Sequence, residues 1–250
     1  MTTPHVFGDD VVDNVDDILA DHINNLRAWL SYKRTFGLNY PIATFNGNWI
    51  EVPDESWSYN AANKITVPAG AAGIYKSGDQ VRLKQGGSYK YYSIITVADT
   101  LLTVTGGSDY TVADATITDA AICKIGGVGH PVTFNWSPDF SDNTTLTYTS
   151  RTIVSAKFLI IRKTIQYWLN VKGTTGGSTS AYLNFRLPIG VIGLGTGGAG
   201  YAIDGGAPMS AFCNLITANV GRIGVAKYDR AAWNLGENRE IAVSGCIELS

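Results

Sequence analysis

The spacing of apolar positions divides the chain into three kinds of text. Near the N-terminus Val12, Val15, Leu19, His22, Leu26 and Trp29 recur at alternating intervals of three and four, the a/d seam of an amphipathic helix. Val11, Ile18, Ile23 and Leu30 flank the seam, and so wide a stripe suits a trimer, or docking on a larger surface, better than a two-stranded coil. Six of the sixteen aspartates precede residue 22, while Arg27, Lys33 and Arg34 fall in the last turns, each sign where the helix dipole favours it. Gly37 is the stop signal. The pattern predicts a helix over residues 9–34, and Gly37, Asn39, Pro41, Asn46 and Gly47 make the connection behind it, so that residues 1–47 read as an appended anchor or trimerisation segment. His22, at a d position, reads first as a satisfied core or rim histidine and second as a pH sensor.

From Trp49 onward the period shortens to two. Lys64–Pro68, Gln80–Lys84, Tyr89–Val97 and Leu101–Thr105 alternate apolar and polar residues between Ser-Gly-Asp and Gly-Gly separators, which predicts a small β-barrel or sandwich module of about six short strands over residues 48–125. The close spacing leaves no room for crossover helices. A glycine joint, Gly126-Gly127-Val128-Gly129-His130-Pro131, opens the third region, residues 126–250. Its strand candidates are Leu146–Ser150, Phe158–Val171 (one run long enough to hold a bend), Ala181–Leu187, Ala211–Ile216, Gly221–Tyr228 and Glu240–Leu249. The fold expected is mainly β: an N-terminal α-helix, a small β module and a C-terminal jelly-roll-like antiparallel β-sandwich.

Composition narrows the function. With 19 Lys and Arg against 21 Asp and Glu, no basic field exists to neutralise a phosphate backbone, and a nucleic-acid partner is not expected. No run approaches the length of a membrane span, so membrane insertion is not expected either. The N-terminal residues carry no signal-peptide pattern. Cys123, Cys213 and Cys246 are widely spaced, which fits neither a disulfide framework nor paired zinc ligands; free, buried thiols made in a reducing cytosol are the expectation.

Candidate chemistry is thin. Gly193, Gly195 and Gly198 satisfy G-x-G-x-x-G, but more glycines and Pro208 follow instead of a helix, so no N-terminus awaits a pyrophosphate. Gly193, Gly195, Gly197, Gly198, Tyr201 and Asp204 instead mark a candidate outer-surface loop. A nucleophile needs a base, and His5, His22 and His130 are the histidines available, with His130 beside Cys123 or a serine the one conceivable pairing. Asp139, Asp142, Asp204, Asp229 and Glu237 sit in turn-like text, where aspartate is commonly a turn former. No loop has the acid spacing of a calcium hand. No catalytic residue, metal or cofactor is assigned, and an enzyme is not expected. Aromatic residues, among them Tyr89, Tyr91, Trp168 and Tyr201, offer flat faces of the kind that pack on sugar rings.

Two stretches carry a resemblance. Ile65-Thr-Val-Pro68, Tyr75-Lys-Ser-Gly-Asp-Gln-Val-Arg-Leu83, Lys90-Tyr91-Tyr92 and Leu101 to Ala115 look like the small β module of tail and fibre proteins of tailed bacteriophages. Phe134-Asn-Trp136-Ser-Pro138, Leu146-Thr-Tyr148, Tyr167-Trp168-Leu169 and Leu183-Asn-Phe185-Arg-Leu187-Pro188 are similar to the C-terminal sandwich of phage fibres and appendages. Ala20 to Leu26 resembles the helix that precedes such modules. The resemblance implies a virion structural protein made in the host cytoplasm and assembled as a homotrimeric appendage of tail fibre or spike type. Its partners would be further copies of itself, other proteins of the capsid or tail, and a host cell-surface glycan or protein. Two alternatives share the text: a capsid decoration or head-fibre protein that stabilises the shell, and a polysaccharide depolymerase.

Overall fold

The computed structural model describes residues 48–52, 55–124, 126–140, 146–189, 197–217 and 221–249. The expected helix, with Val12, Val15, Leu19, His22, Leu26 and Trp29, lies outside the described residues, as do Gly193 and Gly195. The described chain is mainly β and forms two antiparallel sheets.

The first sheet holds β1 (Ile50–Glu51), β2 (Ser58–Ala61), β3 (Lys64–Thr66), β4 (Gln80–Gln85), β5 (Ser88–Ala98), β6 (Leu101–Thr105) and β7 (Thr118–Cys123), with one short helix, α1 (Ala71–Ile74), before β4. The strand order is β1-β7-β4-β5-β6-β3-β2. Its two edge strands, β1 and β2, are consecutive in sequence. Alternation turns Ile65, Val81, Leu83, Ile94, Leu102, Val104 and Ile122 into a common core. Gln85, buried at 4 % exposure, ties down the long β6–β7 connection: its amide donates to Ala113 O (2.8 Å) and Ala115 O (3.1 Å) and accepts from Ala113 N (3.0 Å). All three bonds keep that buried amide satisfied.

The second sheet holds β8 (Phe134–Asn135), β9 (Leu146–Ile161), β10 (Thr164–Gly177), β11 (Leu183–Arg186), β12 (Gly198–Asp204), β13 (Ala207–Thr217), β14 (Arg222–Lys227) and β15 (Gly236–Glu248). The order is β11-β14-β13-β12-β15-β10-β9-β8. A bridge between Asp139 and Arg186, with Arg186 N donating to Asp139 O at 2.8 Å, brings the run after β8 onto β11, so the sheet's two ends meet. Trp136, Phe140, Phe158, Tyr167 and Phe185 fill the interior.

Three expectations are corrected. Phe158–Val171 is not one bent strand: Arg162 and Lys163 form a tight turn between β9 and β10, with Arg162 in the left-handed region at φ 53°. The candidate strand Leu146–Ser150 does not end there, because β9 continues to Ile161. The glycine-rich text around Gly198–Pro208 is a hairpin of β12 and β13. Gly205 and Gly206 supply its two positive φ angles, 67° and 87°, as a two-residue hairpin turn demands.

The two sheets meet through aromatic rings. Trp49 contacts Tyr91 (ring centroids 6.0 Å apart), Tyr91 contacts Tyr110 (5.9 Å), Tyr110 contacts Phe134 (6.4 Å) and Phe134 contacts Phe158 (5.6 Å). The series passes from the first core into the second, and edge-on and tilted pairs of this kind add to the burial of their rings. Ile95, on β5 of the first sheet, belongs to the core of the second. Hydrogen bonds reinforce the seam: Ser108 N donates to Asn135 O (2.8 Å), and the Asp109 carboxylate accepts from Asn135 N (2.8 Å) and Nδ2 (2.9 Å). Gly107 is required here, since a Cβ at its φ of +64° would come within 2.1 Å of Asn135 O.

Candidate binding face

On the outward side of the second sheet the pairing register lays out a grid. Trp168 on β10 stands opposite Ser244 on β15, which stands opposite Ala199 on β12; two residues along, Asn170, Ala242 and Tyr201 form the next row. Lys172, Glu240 and Ile203 form the third. Because side chains alternate, all nine point away from the core that Tyr167, Leu169, Val171, Ile241 and Val243 help to fill. The middle of the first two rows is made of the small residues Ser244 and Ala242, and that of the third is Glu240. Trp168 (39 % exposed) and Tyr201 (43 %) stand on opposite sides of the grid.

The tyrosine is held. Its hydroxyl donates to Glu240 Oε1 at 2.6 Å, which raises its pKa above the usual phenol value. The hydroxyl also meets the Asn170 side chain on β10, so the ring reaches from β12 across β15. The third row then runs into a cleft of about 460 Å³ lined by Thr152, Lys172, Thr174, Glu237, Asn238 and Glu240, among others.

Beneath that cleft lies a buried ion cluster. Asp204 accepts Lys227 Nζ at 2.8 Å through Oδ2, and its Oδ1 is 2.8 Å from Arg239 Nε. The three are 7 %, 4 % and 5 % exposed. Lys227 also donates to Ala232 O (2.7 Å), and Arg239 donates to the carbonyls of Asn234 (3.0 Å), Leu235 (2.9 Å) and Glu237. Asn234 Nδ2 donates to Asp204 Oδ2 (3.1 Å). The cluster thus gathers the carbonyls of residues 232–238 and fixes the rim of the cleft, a role in which every buried charge has partners.

The expected surface loop is therefore only partly where the sequence placed it. Tyr201 is exposed, but on a strand; Asp204 is internal. Gly197 and Gly198 enter β12 where backbones crowd: a Cβ on Gly198 would lie 1.6 Å from Ser244 O, so close strand packing accounts for that glycine. Trp168, Asn170 and Glu240 were missed as members of the same face. The Gly205-Gly206 turn pairs β12 with β13, but the pairing of β10 and β12 with β15 that assembles the face carries no local sequence mark.

The other residues weighed for chemistry disperse. His130 has Nδ1 2.9 Å from Pro131 O and Nε2 3.2 Å from Tyr92 O, and burial holds its pKa below the ordinary 6.5. It is a joint residue beside Phe134, with ring centroids 5.3 Å apart. Asp229 caps Ala231 N at 2.9 Å, Asp139 sits in the bridge to Arg186, and Asp142 lies outside the described residues. Cys123 and Cys213 are buried as expected, but Cys246 is exposed on the outward side of β15, because the β15 register sends it away from the core. Burial pushes the Cys213 thiol up to about 11. Among the described residues no group of three or more His, Cys, Asp and Glu is placed to hold a metal ion, and no helix is long and apolar enough to cross a membrane. Comparison with family models, with curated proteins and with solved structures returned no match.

Proposed function

We propose that this protein is a structural component of a tailed-phage virion, a homotrimeric appendage that contributes to assembly and to attachment at the host surface. The observation that carries the reading is the joint between the two sheets. Rings from Trp49 to Phe158 interlock across it, and hydrogen bonds between Ser108, Asp109 and Asn135 tie the two sheets together. An appendage that must hold an outer surface at a fixed angle to its anchor needs such coupling, whereas inter-domain freedom is the usual state of tandem domains.

In this reading residues 1–47 anchor or trimerise, the first sheet is a spacer, and the second, a jelly-roll-type module, presents the outer face. Trimerisation multiplies weak contacts through effective concentration, as attachment to a repetitive surface requires. The test is the native mass of the purified full chain together with the protein inventory of purified particles. A threefold mass and presence in the particle support the proposal; a monomer that is absent from particles overturns it. Deletion that destabilises particles without impairing adsorption would transfer the protein to shell decoration, and release of reducing ends from host polysaccharide would make it a depolymerase.

A further inference from the structure

The geometry points to a binding site for a neutral oligosaccharide on the outward face of the second sheet, with Trp168 and Tyr201 as stacking platforms and the cleft beside Glu240 as the polar end of the site. The inference rests on the attachment reading above and names the chemistry of the contact.

Three features combine. First, the two rings stand two strands apart and two residues apart along them, about 12 Å at the backbone, and the positions between them are Ser244 and Ala242. The Tyr201 hydroxyl reaches Glu240 on β15 and Asn170 on β10, so its ring lies across Ala242 as a platform, and the small Ser244 leaves a low step between it and Trp168, so that one chain can stack on both rings. Second, the platforms are set before a ligand arrives. The bond from Tyr201 to Glu240 fixes one ring, and the ion cluster of Asp204, Lys227 and Arg239 fixes the cleft rim from below. Rigid aromatic faces lower the ordering cost of a weak contact.

Third, the charges around the two rings balance. Lys157 and Lys172 are matched by Glu237 and Glu240, and the guanidinium of Arg239 is spent on Asp204 and on backbone carbonyls. Such a surface has no cationic surplus to hold a sulfated or uronic chain, while Asn170, Thr152, Thr174 and Asn238 offer the uncharged donors and acceptors that hydroxyl groups use. The opposed signs also disfavour a strongly charged protein partner. The ligand class that fits flat apolar faces edged by neutral polar groups is the hexopyranose chain.

The test is titration of the purified full-length protein with maltohexaose, cellohexaose, chitohexaose and a linear mannan, with heparin as the acidic control, following the Trp168 indole resonance and the heat of binding. We expect at least one neutral chain to bind and to shift that resonance. Trp168→Ala and Tyr201→Ala should each weaken binding roughly tenfold, the scale of one stacked ring, while Tyr89→Ala, an exposed aromatic on the first sheet, should leave it unchanged. Both alanine variants are surface changes, and an unaltered melting temperature confirms that they fold. The site is overturned if no neutral chain binds, if only heparin binds, if binding survives both substitutions, or if Trp168→Ala instead dissociates an oligomer, which would make the face an interface between copies. The source reading fails separately: neutral-chain binding by a protein absent from particles keeps the site and discards the virion, and its presence in particles without such binding does the reverse.

Discussion

Asp204→Asn is the change whose cost the structure defines best. The substitution keeps the shape of the side chain and removes one charge from a cluster in which the lysine and the arginine are 4 % and 5 % exposed. The carboxamide oxygen can still accept one bond, and Lys227 and Arg239 keep those to backbone carbonyls, but two buried cations would then face each other with no counter-charge. Breaking a buried pair by removing one partner costs about 3–5 kcal/mol. For a cooperative unit of this size that is a fall in melting temperature of roughly 6–20 °C. The assay is urea denaturation of the wild type, Asp204→Asn, Lys227→Met and the double variant. Because Asp204→Asn/Lys227→Met removes one of the stranded cations, it should recover part of the loss, giving a coupling energy of about 1 kcal/mol or more. A single-variant loss under about 1 kcal/mol, or strict additivity in the cycle, would refute the view that Asp204 neutralises buried charge.

Other consequences can be checked independently. As pH falls below 6.5 the unfolded imidazole of His130 protonates before the folded one, whose pKa is lowered by burial; stability present above 6.5 is therefore lost on acidification towards the folded pKa, and His130→Gln should flatten the melting-temperature profile between pH 8 and 5, with an unchanged profile counting against the assignment. Gly107→Val should cost at least about 2 kcal/mol, from left-handed strain and from overpacking onto Asn135, and should split denaturation into two transitions; Gly86→Ala, at a φ of 59° with open space around its added Cβ, carries the strain alone and is the control, and equal losses in the two would contradict the joint. Of the three thiols, Cys246 alone should react with an aromatic disulfide reagent in the folded protein, all three doing so in denaturant; rapid labelling of Cys213 would show that its burial is wrong.

Much of the β architecture was legible because strand text in this chain is regular. Lys64–Thr66, Gln80–Gln85 and Leu101–Thr105 alternate between turn residues, and the structure has strands there. Where the reading failed, the cause was the same: local text was ambiguous and the sheet decided. Thr152–Ser155 lacks a buried alternation, since these residues are outward or half-buried, yet β10 pairs along the whole stretch. Arg162 and Lys163 carry no Gly or Pro, so the tight turn after β9 had no sequence mark. Glycines near residue 200 looked like a loop because glycine is rare in strands; here backbones approach too closely for a Cβ. The binding face was harder still. Trp168 and Tyr201 were both visible as aromatics, but β10 and β12 are brought to the same neighbourhood by β15, a pairing across some forty to eighty residues that no local pattern encodes.

The central claim is a place, and location is what should be measured first. Gold-labelled antibody against this protein, applied to purified phage particles from the proposed source, tests it directly. The account predicts label on a tail or fibre, at sites of threefold multiplicity. No label on any part of the particle, with the antibody shown to recognise the native protein, would contradict it.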